Sequence, residues 1–182
     1  SSAAAQGTFL GSENSADLHW VQATSLPTER LETLLAETHR NSQDCEFLQG
    51  RRTPSQLLDG YRESSESSDR LWEVLFDGET PVACLFAGLQ GQGTQIEWIY
   101  LGVAATHRRR GLGHVTVEHG FESARRMGIG TIMLGLDAAN PAARNLYERW
   151  GFHVWDRRLV LLKWGDAGVG QDRSQAQLSG PP

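Results

Sequence analysis

Cysteine is scarce. The two in 182 residues, Cys45 and Cys84, stand 39 positions apart without the Cys-x-x-Cys spacing of a zinc or redox site. A disulfide-stapled mini-protein is excluded, and Cys84, inside the apolar run Val82 to Ala87, reads as a buried small hydrophobe. A surplus of positive charge is missing too: 17 Lys and Arg against 22 Asp and Glu give a formal net charge of −5. An acidic chain is poorly suited to gripping a phosphate backbone, so no nucleic acid is expected as a partner. No apolar run approaches the ~18 residues of a membrane span, and no membrane is expected either. The opening Ser-Ser-Ala-Ala-Ala-Gln has neither the basic start nor the apolar stretch of a secretory signal and lacks Met; a trimmed start and a cytoplasmic location are the expectation. There is no internal repeat. What is present, 39% hydrophobic and 21% charged residues, suits one globular core of ordinary kind.

Both ends are poor in large hydrophobes, so residues 1–17 and 165–182 read as flexible tails around a domain over 18–164. Within it the hydrophobic period changes repeatedly. Leu18 to Ala23 passes as a first strand, and Leu31, Leu34 and Leu35 predict a helix over Pro27 to His39. Thr53-Pro54 opens a second helix through Leu57, Leu58 and Tyr61, which dissolves into the serine-rich loop 63–69. Leu71 to Phe76 and Val82 to Leu89 flank an Asp77-Gly78 hairpin signal, and Thr94 to Val103 follows as a third antiparallel run. A helix from Leu112 to about Met127 leads to an apolar strand, Thr131 to Leu136, so a parallel pairing is implied. Asn140-Pro141 starts a last helix carrying Ala143, Leu146, Tyr147 and Trp150 on one face, and two short strands, Phe152 to Trp155 and Leu159 to Trp164, close the domain.

The chemistry concentrates where the third run ends and its helix begins, at Val103-Ala-Ala-Thr-His-Arg-Arg-Arg-Gly-Leu-Gly-His114. The first N–H groups of a helix lack intrahelical partners and sit at its positive end. Gly111 and Gly113 let a phosphate approach the main chain without a Cβ in the way, and Arg108, Arg109 and Arg110 add positive charge. A plain helix entry with a solvated basic face is the competing reading. A dinucleotide fingerprint fails because Thr116 stands where a third glycine is wanted, and a P-loop fails because no Gly-Lys-Ser/Thr follows.

Arg108-x-x-Gly111-x-Gly113, after the strand Ile99 to Val103, resembles the acyl-CoA motif of the GCN5-related N-acetyltransferase (GNAT) superfamily. Asn140-Pro-Ala-Ala-Arg-Asn-Leu-Tyr147-Glu-Arg-Trp-Gly-Phe152 resembles its second signature, in the expected order. The resemblance covers about residues 18–164. It implies an α/β (α+β) fold with a mixed central sheet of about six to seven strands, a parallel pair at the cofactor cleft and about four helices. It also implies an acetyl-CoA co-substrate, an amine acceptor (small molecule, protein lysine or α-amine), direct attack in a ternary complex, and no metal. The main chain of Leu101, Gly102 and Val103 would meet the pantetheine arm, the amides of Arg109, Arg110, Gly111, Leu112, Gly113 and His114 the pyrophosphate, and Asn140 would lie beside the pantetheine. Tyr147 matches the general acid. Glu97, 14 positions before Gly111 and of the same strand parity as Ile99, Leu101 and Val103, matches the base of the histone-acetylating branch, with Asp137 as its rival. Gly135 stands where the branch acting on a ribosomal protein's α-amine carries its base. A non-catalytic acyl-CoA sensor is the alternative, and monomer and homodimer both remain open.

The six tryptophans read as packing residues rather than an aromatic cage. His107 and His114 read as polar residues beside the phosphates, and His19, His39, His119 and His153 as surface or satisfied ones. Glu63, Glu66 and Asp69 form an acidic loop that would favour a cationic acceptor.

Overall fold

The computed structural model describes residues 17–44, 50–64 and 70–159. Most of the two tails, Cys45, Glu66, Asp69 and all but the first residue of the strand expected over Leu159 to Trp164 lie outside the described residues.

The sheet is mixed and has five strands, β1 (Leu18–Gln22), β2 (Leu71–Asp77), β3 (Thr80–Gln90), β4 (Gln95–Val103) and β5 (Thr131–Leu134), in that spatial order. The first four pair antiparallel and β5 joins β4 in parallel. The β2–β3 hairpin turns at Gly78 with φ 58°, a left-handed value that costs glycine least. Four helices complete the fold: α1 (Thr28–His39), α2 (Pro54–Glu63), α3 (Leu112–Arg126) and α4 (Pro141–Arg149). Thr53 and Gln56 form a reciprocal capping box at the start of α2, and Asn140 caps α4 ahead of Pro141.

The two faces of the sheet are filled by different helices. On one, Trp72, Val74, Phe76, Cys84 and Phe86 pack under Leu31, Leu34 and Leu35 of α1 and Leu58 of α2. On the other, Leu85, Ala87, Ile96 and Trp98 meet Val117 and Ala124 of α3 and Tyr147 of α4. The alternation of buried residues along β2 to β4 thus serves two cores. Gly120 permits the closest approach of α3, since a Cβ there would fall 2.4 Å from the Trp98 ring. Along the β1–β2 side of α3, His119 stacks on Trp20 and its Nε2 lies 2.8 Å from Glu73 Oε2. Burial alone would raise the Glu73 carboxyl, but the bond and charge of His119, with help from Arg126 and Ser123, hold it below the ordinary value. Cys84 is free and its thiol is pushed up to about 12 by burial, an inert packing residue.

Two expectations are corrected. The strand count is five among the described residues rather than six or seven: residues 152–159 contain no strand, with Val154, Trp155 and Leu159 largely exposed. Alternating apolar residues there suit a strand, but a strand exists only where a ladder partner takes up its backbone groups. The strand expected to reach Leu136 stops at Leu134, because pairing with β4 ends at Trp98.

Candidate active site

β4 is the axis of the site. On one side β3 accompanies it along its whole length, whereas β5 pairs with it only through Gln95–Trp98. Trp98 opposes Ala87 while Tyr100 opposes Phe86, so Ile99 is an extra residue, a β-bulge that sharpens the local twist just where β5 leaves. Among the described residues, Ile99–Val103 therefore have no ladder partner on the β5 side. Leu101, Gly102 and Val103 border this gap. Gly102 also lets α1 cross closely, since a Cβ on it would lie 2.8 Å from Thr38 Cβ.

The bulge overturns the expected side-chain parity. Leu101 packs with Trp98 in the α3–α4 core although three positions separate them, and Val103 packs with Leu112. Glu97 points the other way, toward α2, as does Tyr100. Glu97 thus shares neither face nor neighbours with Leu101 and Val103. The extra residue reverses the alternation between them.

At the end of β4, Arg109 (φ 66°) and Gly111 (φ 81°) are left-handed, curling the chain into the start of α3. Leu112 and Gly113 open the helix with the unsatisfied N–H groups of any N-terminus, while the His114 N–H donates to the Gly111 carbonyl at 2.9 Å. The side chains of Arg109 and Arg110 are exposed. Three details add to the sequence expectation. Arg108 is a tether: its guanidinium donates to the carbonyls of Val103 (3.2 Å), Asn41 (2.9 Å) and Thr38 (2.7 Å), fastening the loop to the C-terminal end of α1, where helix carbonyls lack partners. Gly113 serves packing, for a Cβ there would meet Leu146 of α4 at 3.3 Å, whereas one on Gly111 would meet nothing within 4 Å. The imidazole of His114 accepts a hydrogen bond from Trp150 Nε1 at 3.0 Å, joining α3 to α4. His107 instead lies 2.9 Å from its neighbour's hydroxyl, Thr106 Oγ1.

On the α2 side of β4 lies a cavity of about 320 Å³ lined by Arg52, Leu57, Gly60, Tyr61 and Ser64 from α2 and its ends, Glu97, Trp98 and Ile99 from β4, and Gly135 just past β5. Glu97 is half-buried in its wall, opposite Gly88 and Met133, and accepts a hydrogen bond from Gln90 Nε2 at 2.8 Å. Behind Tyr61 a compact polar cluster fills the space between α1, α2 and β4. The Tyr61 hydroxyl lies 3.3 Å from His39 Nε2, His39 Nδ1 lies 2.9 Å from the Leu35 carbonyl, and Tyr100 donates to Thr38 Oγ1 (2.9 Å). The His39, Tyr100 and Tyr61 rings stack in sequence. Burial lowers His39 and raises Tyr100 well above the usual tyrosine value, keeping both neutral.

The second motif sits across the gap. Asn140 spends its side-chain oxygen on the Ala143 N–H (3.0 Å), the cap of α4. Tyr147 is buried against Trp98 and Phe152, and burial, followed by the nearby negative charge of Asp44, raises its phenol above the ordinary value. Asp44 accepts from the Asp137 N–H (3.4 Å); its own carboxyl is raised, chiefly by burial and further by the charge of Asp137. The Asp137 side chain accepts from Ala139 N–H at 2.9 Å, holding the loop before α4. Sequence reasoning passed over Asp44 and Arg52 and gave His39 and Tyr61 no part in a site. None belongs to a motif, and the helical spacing of Leu57, Leu58 and Tyr61 announces only a buried stripe; the cavity arises from α2 lying over β4.

The geometry has counterparts. Residues 30–152 match the model of the Acetyltransferase (GNAT) family. Over 112 residues, 60% of this chain and 35% of the relative, the sequence is 32% identical to mycothiol acetyltransferase of Corynebacterium glutamicum. The chain spans only 20–35% of the length of the curated mycothiol acetyltransferases it matches. Among solved structures, an aminoglycoside acetyltransferase from an uncultured soil metagenomic sample aligns with TM-score 0.58 and 24% identity over 81% of this chain and 97% of that one. The PaiA N-acetyltransferase of Thermoplasma acidophilum, solved in complex with coenzyme A, aligns with TM-score 0.58 and 16% identity over 78% and 93%. These structural likenesses concern the fold; the family match spans most of the chain, with both motifs inside it, and the chain belongs to the GNAT family of acetyltransferases.

Proposed function

We propose that this chain transfers an acetyl group from acetyl-CoA to a primary amine by direct attack in a ternary complex. The observation that carries the reading is the gap between β4 and β5, with the start of α3 at its far end and the Glu97 cavity beside it. The backbone edge of Ile99–Val103, unpaired on the β5 side among the described residues, suits the amides of a pantetheine arm, which can add to it like a strand. The N–H groups of Gly111, Leu112 and Gly113 suit the pyrophosphate, with Arg109 and Arg110 close by for the outer charge. Arg108 holds this loop in place.

In this reading Glu97 removes the proton that the attacking ammonium must lose, its Gln90 hydrogen bond fixing which oxygen remains available. The amine nitrogen then bonds to the thioester carbon, the adduct's cationic nitrogen gives up a second proton to solvent, and the carbon–sulfur bond breaks as the tetrahedral adduct collapses. Tyr147, held protonated by its burial, donates its phenolic proton to the departing thiolate. Both roles exploit differences of environment: the carboxylate stands in an open cavity, the phenol in a largely buried setting.

A steady-state assay of thiol release over a panel of amines tests this, with Glu97→Gln as the variant. A fall in kcat/KM of ~10² to 10⁴ with CoA affinity retained is expected. Wild-type rates in Glu97→Gln together with their loss in Asp137→Asn would move the base to Asp137. Tight CoA binding without turnover of any amine would leave only an acyl-CoA sensor.

A further inference from the structure

Arg52 stands apart from its basic neighbours. Around α1 and α2, Arg40 pairs with Glu37 at 2.8 Å, Arg62 with Asp59 at 3.5 Å, and Arg108 is spent on three carbonyls. Arg52 has no ion pair or hydrogen bond among the described residues, and among them it is the one cation lining the cavity that Glu97 lines from β4. Its guanidinium folds back along α2: a Cβ on Gly60 would lie 3.7 Å from Arg52 Nη1.

The cavity walls carry two glycines that the backbone does not demand. Gly60 lies inside α2, where glycine costs ~1 kcal/mol relative to alanine, yet it has ordinary helical φ and room for a methyl. Gly135 likewise has no left-handed φ and nothing within 4 Å of a Cβ. What both supply is open wall. The space between them has Leu57 and the Tyr61 ring as its apolar side, a carboxylate at one border and an unpaired guanidinium at another. At about 320 Å³ it is at the small end of ligand pockets, which run ~300–1,000 Å³.

We propose that the acceptor is a small primary amine that also carries a carboxylate, an amino-acid-like molecule whose carboxylate is held by Arg52 while its amine meets Glu97. A single guanidinium offers two parallel N–H donors, which match a carboxylate. The inference rests on the acetyltransferase reading of this cavity, and makes Arg52 a specificity residue for it. Its position also accounts for the mixed charge of the wall: an acceptor with only a positive group would gain nothing from Arg52 and would be repelled by it.

The test is thiol release with matched pairs of amines: glycine and a series of straight-chain ω-amino acids, each against its carboxamide. The series measures the span between the two charged groups. Wild type should prefer the acid of the best pair by about 10- to 100-fold in kcat/KM, the worth of one charge-assisted contact. Arg52→Gln should abolish that preference, and Arg52→Lys should restore part of it. Equal turnover of acids and carboxamides by wild type, or an acid preference that survives in Arg52→Gln, overturns the Arg52 inference and leaves acetyl transfer standing. Thiol release with other primary amines but with none of these pairs likewise overturns the Arg52 inference alone, whereas tight CoA binding without thiol release for any amine, these pairs and simple amines included, overturns the acetyltransferase reading itself.

Discussion

Replacing Arg108 by alanine separates a loop tether from a phosphate ligand. The family motif reserves this arginine for the cofactor loop, but its guanidinium is already committed to three carbonyls, two of them at the C-terminal end of α1. A hydrogen bond to a charged group contributes ~1.5–3 kcal/mol, and losing the arginine leaves three acceptors without it. The three bonds share one group and are not additive, and water can replace the exposed one to Asn41, so the expected loss is ~2–4 kcal/mol. For a chain of this size that lowers Tm by about 5–15 °C. Arg108→Lys keeps the charge but cannot span three acceptors, and should recover less than half of the loss. Thermal unfolding followed by tryptophan fluorescence reads the stability, and calorimetric titration with CoA reads the site. The tether reasoning fails if Arg108→Ala unfolds at the wild-type temperature while CoA affinity collapses, for then the side chain leaves its carbonyls to bind phosphate.

Two further outcomes follow from the buried groups. Tyr147→Phe should lower kcat by ~10² or more at every pH near neutrality with little change in acetyl-CoA affinity, because the phenol is raised and stays protonated throughout that range; superimposable rate profiles for the two forms would reduce Tyr147 to a packing residue. Glu73→Gln should cost ~1–2 kcal/mol at pH 7 in urea unfolding through the weakened contact to His119. Since the folded-state value of Glu73 is held below the ordinary ~4.3, its contribution is full above that value and is lost as pH falls through the folded one. The stability difference between wild type and variant must therefore close in acid, and a difference that persists at low pH contradicts the role given to the Glu73 carboxylate.

Sequence alone settled the elements that local chemistry dictates. Thr53-Pro54 and Asn140-Pro141 carry their caps within three residues, Asp77-Gly78 carries its turn, and the helical stripes of α1 and α4 need only periodicity, so these stand where the sequence put them. The two motifs did the same for the family, because a glycine-rich helix entry and a capped helix seven residues ahead of a tyrosine are local patterns. What required the tertiary structure was everything that depends on pairing across the chain. The bulge at Ile99 exists only in the register of β4 against β3, and it alone turns Glu97 toward α2 instead of toward Leu101. The role of Arg108 depends on carbonyls some 70 positions away, and that of Gly113 on Leu146 in another helix. Sequence spacing records which side chains a strand or helix could align; only the packing of α2 over β4 and of α1 against the loop before α3 decides which groups meet, because burial and hydrogen-bond partnership are properties of the assembled layers.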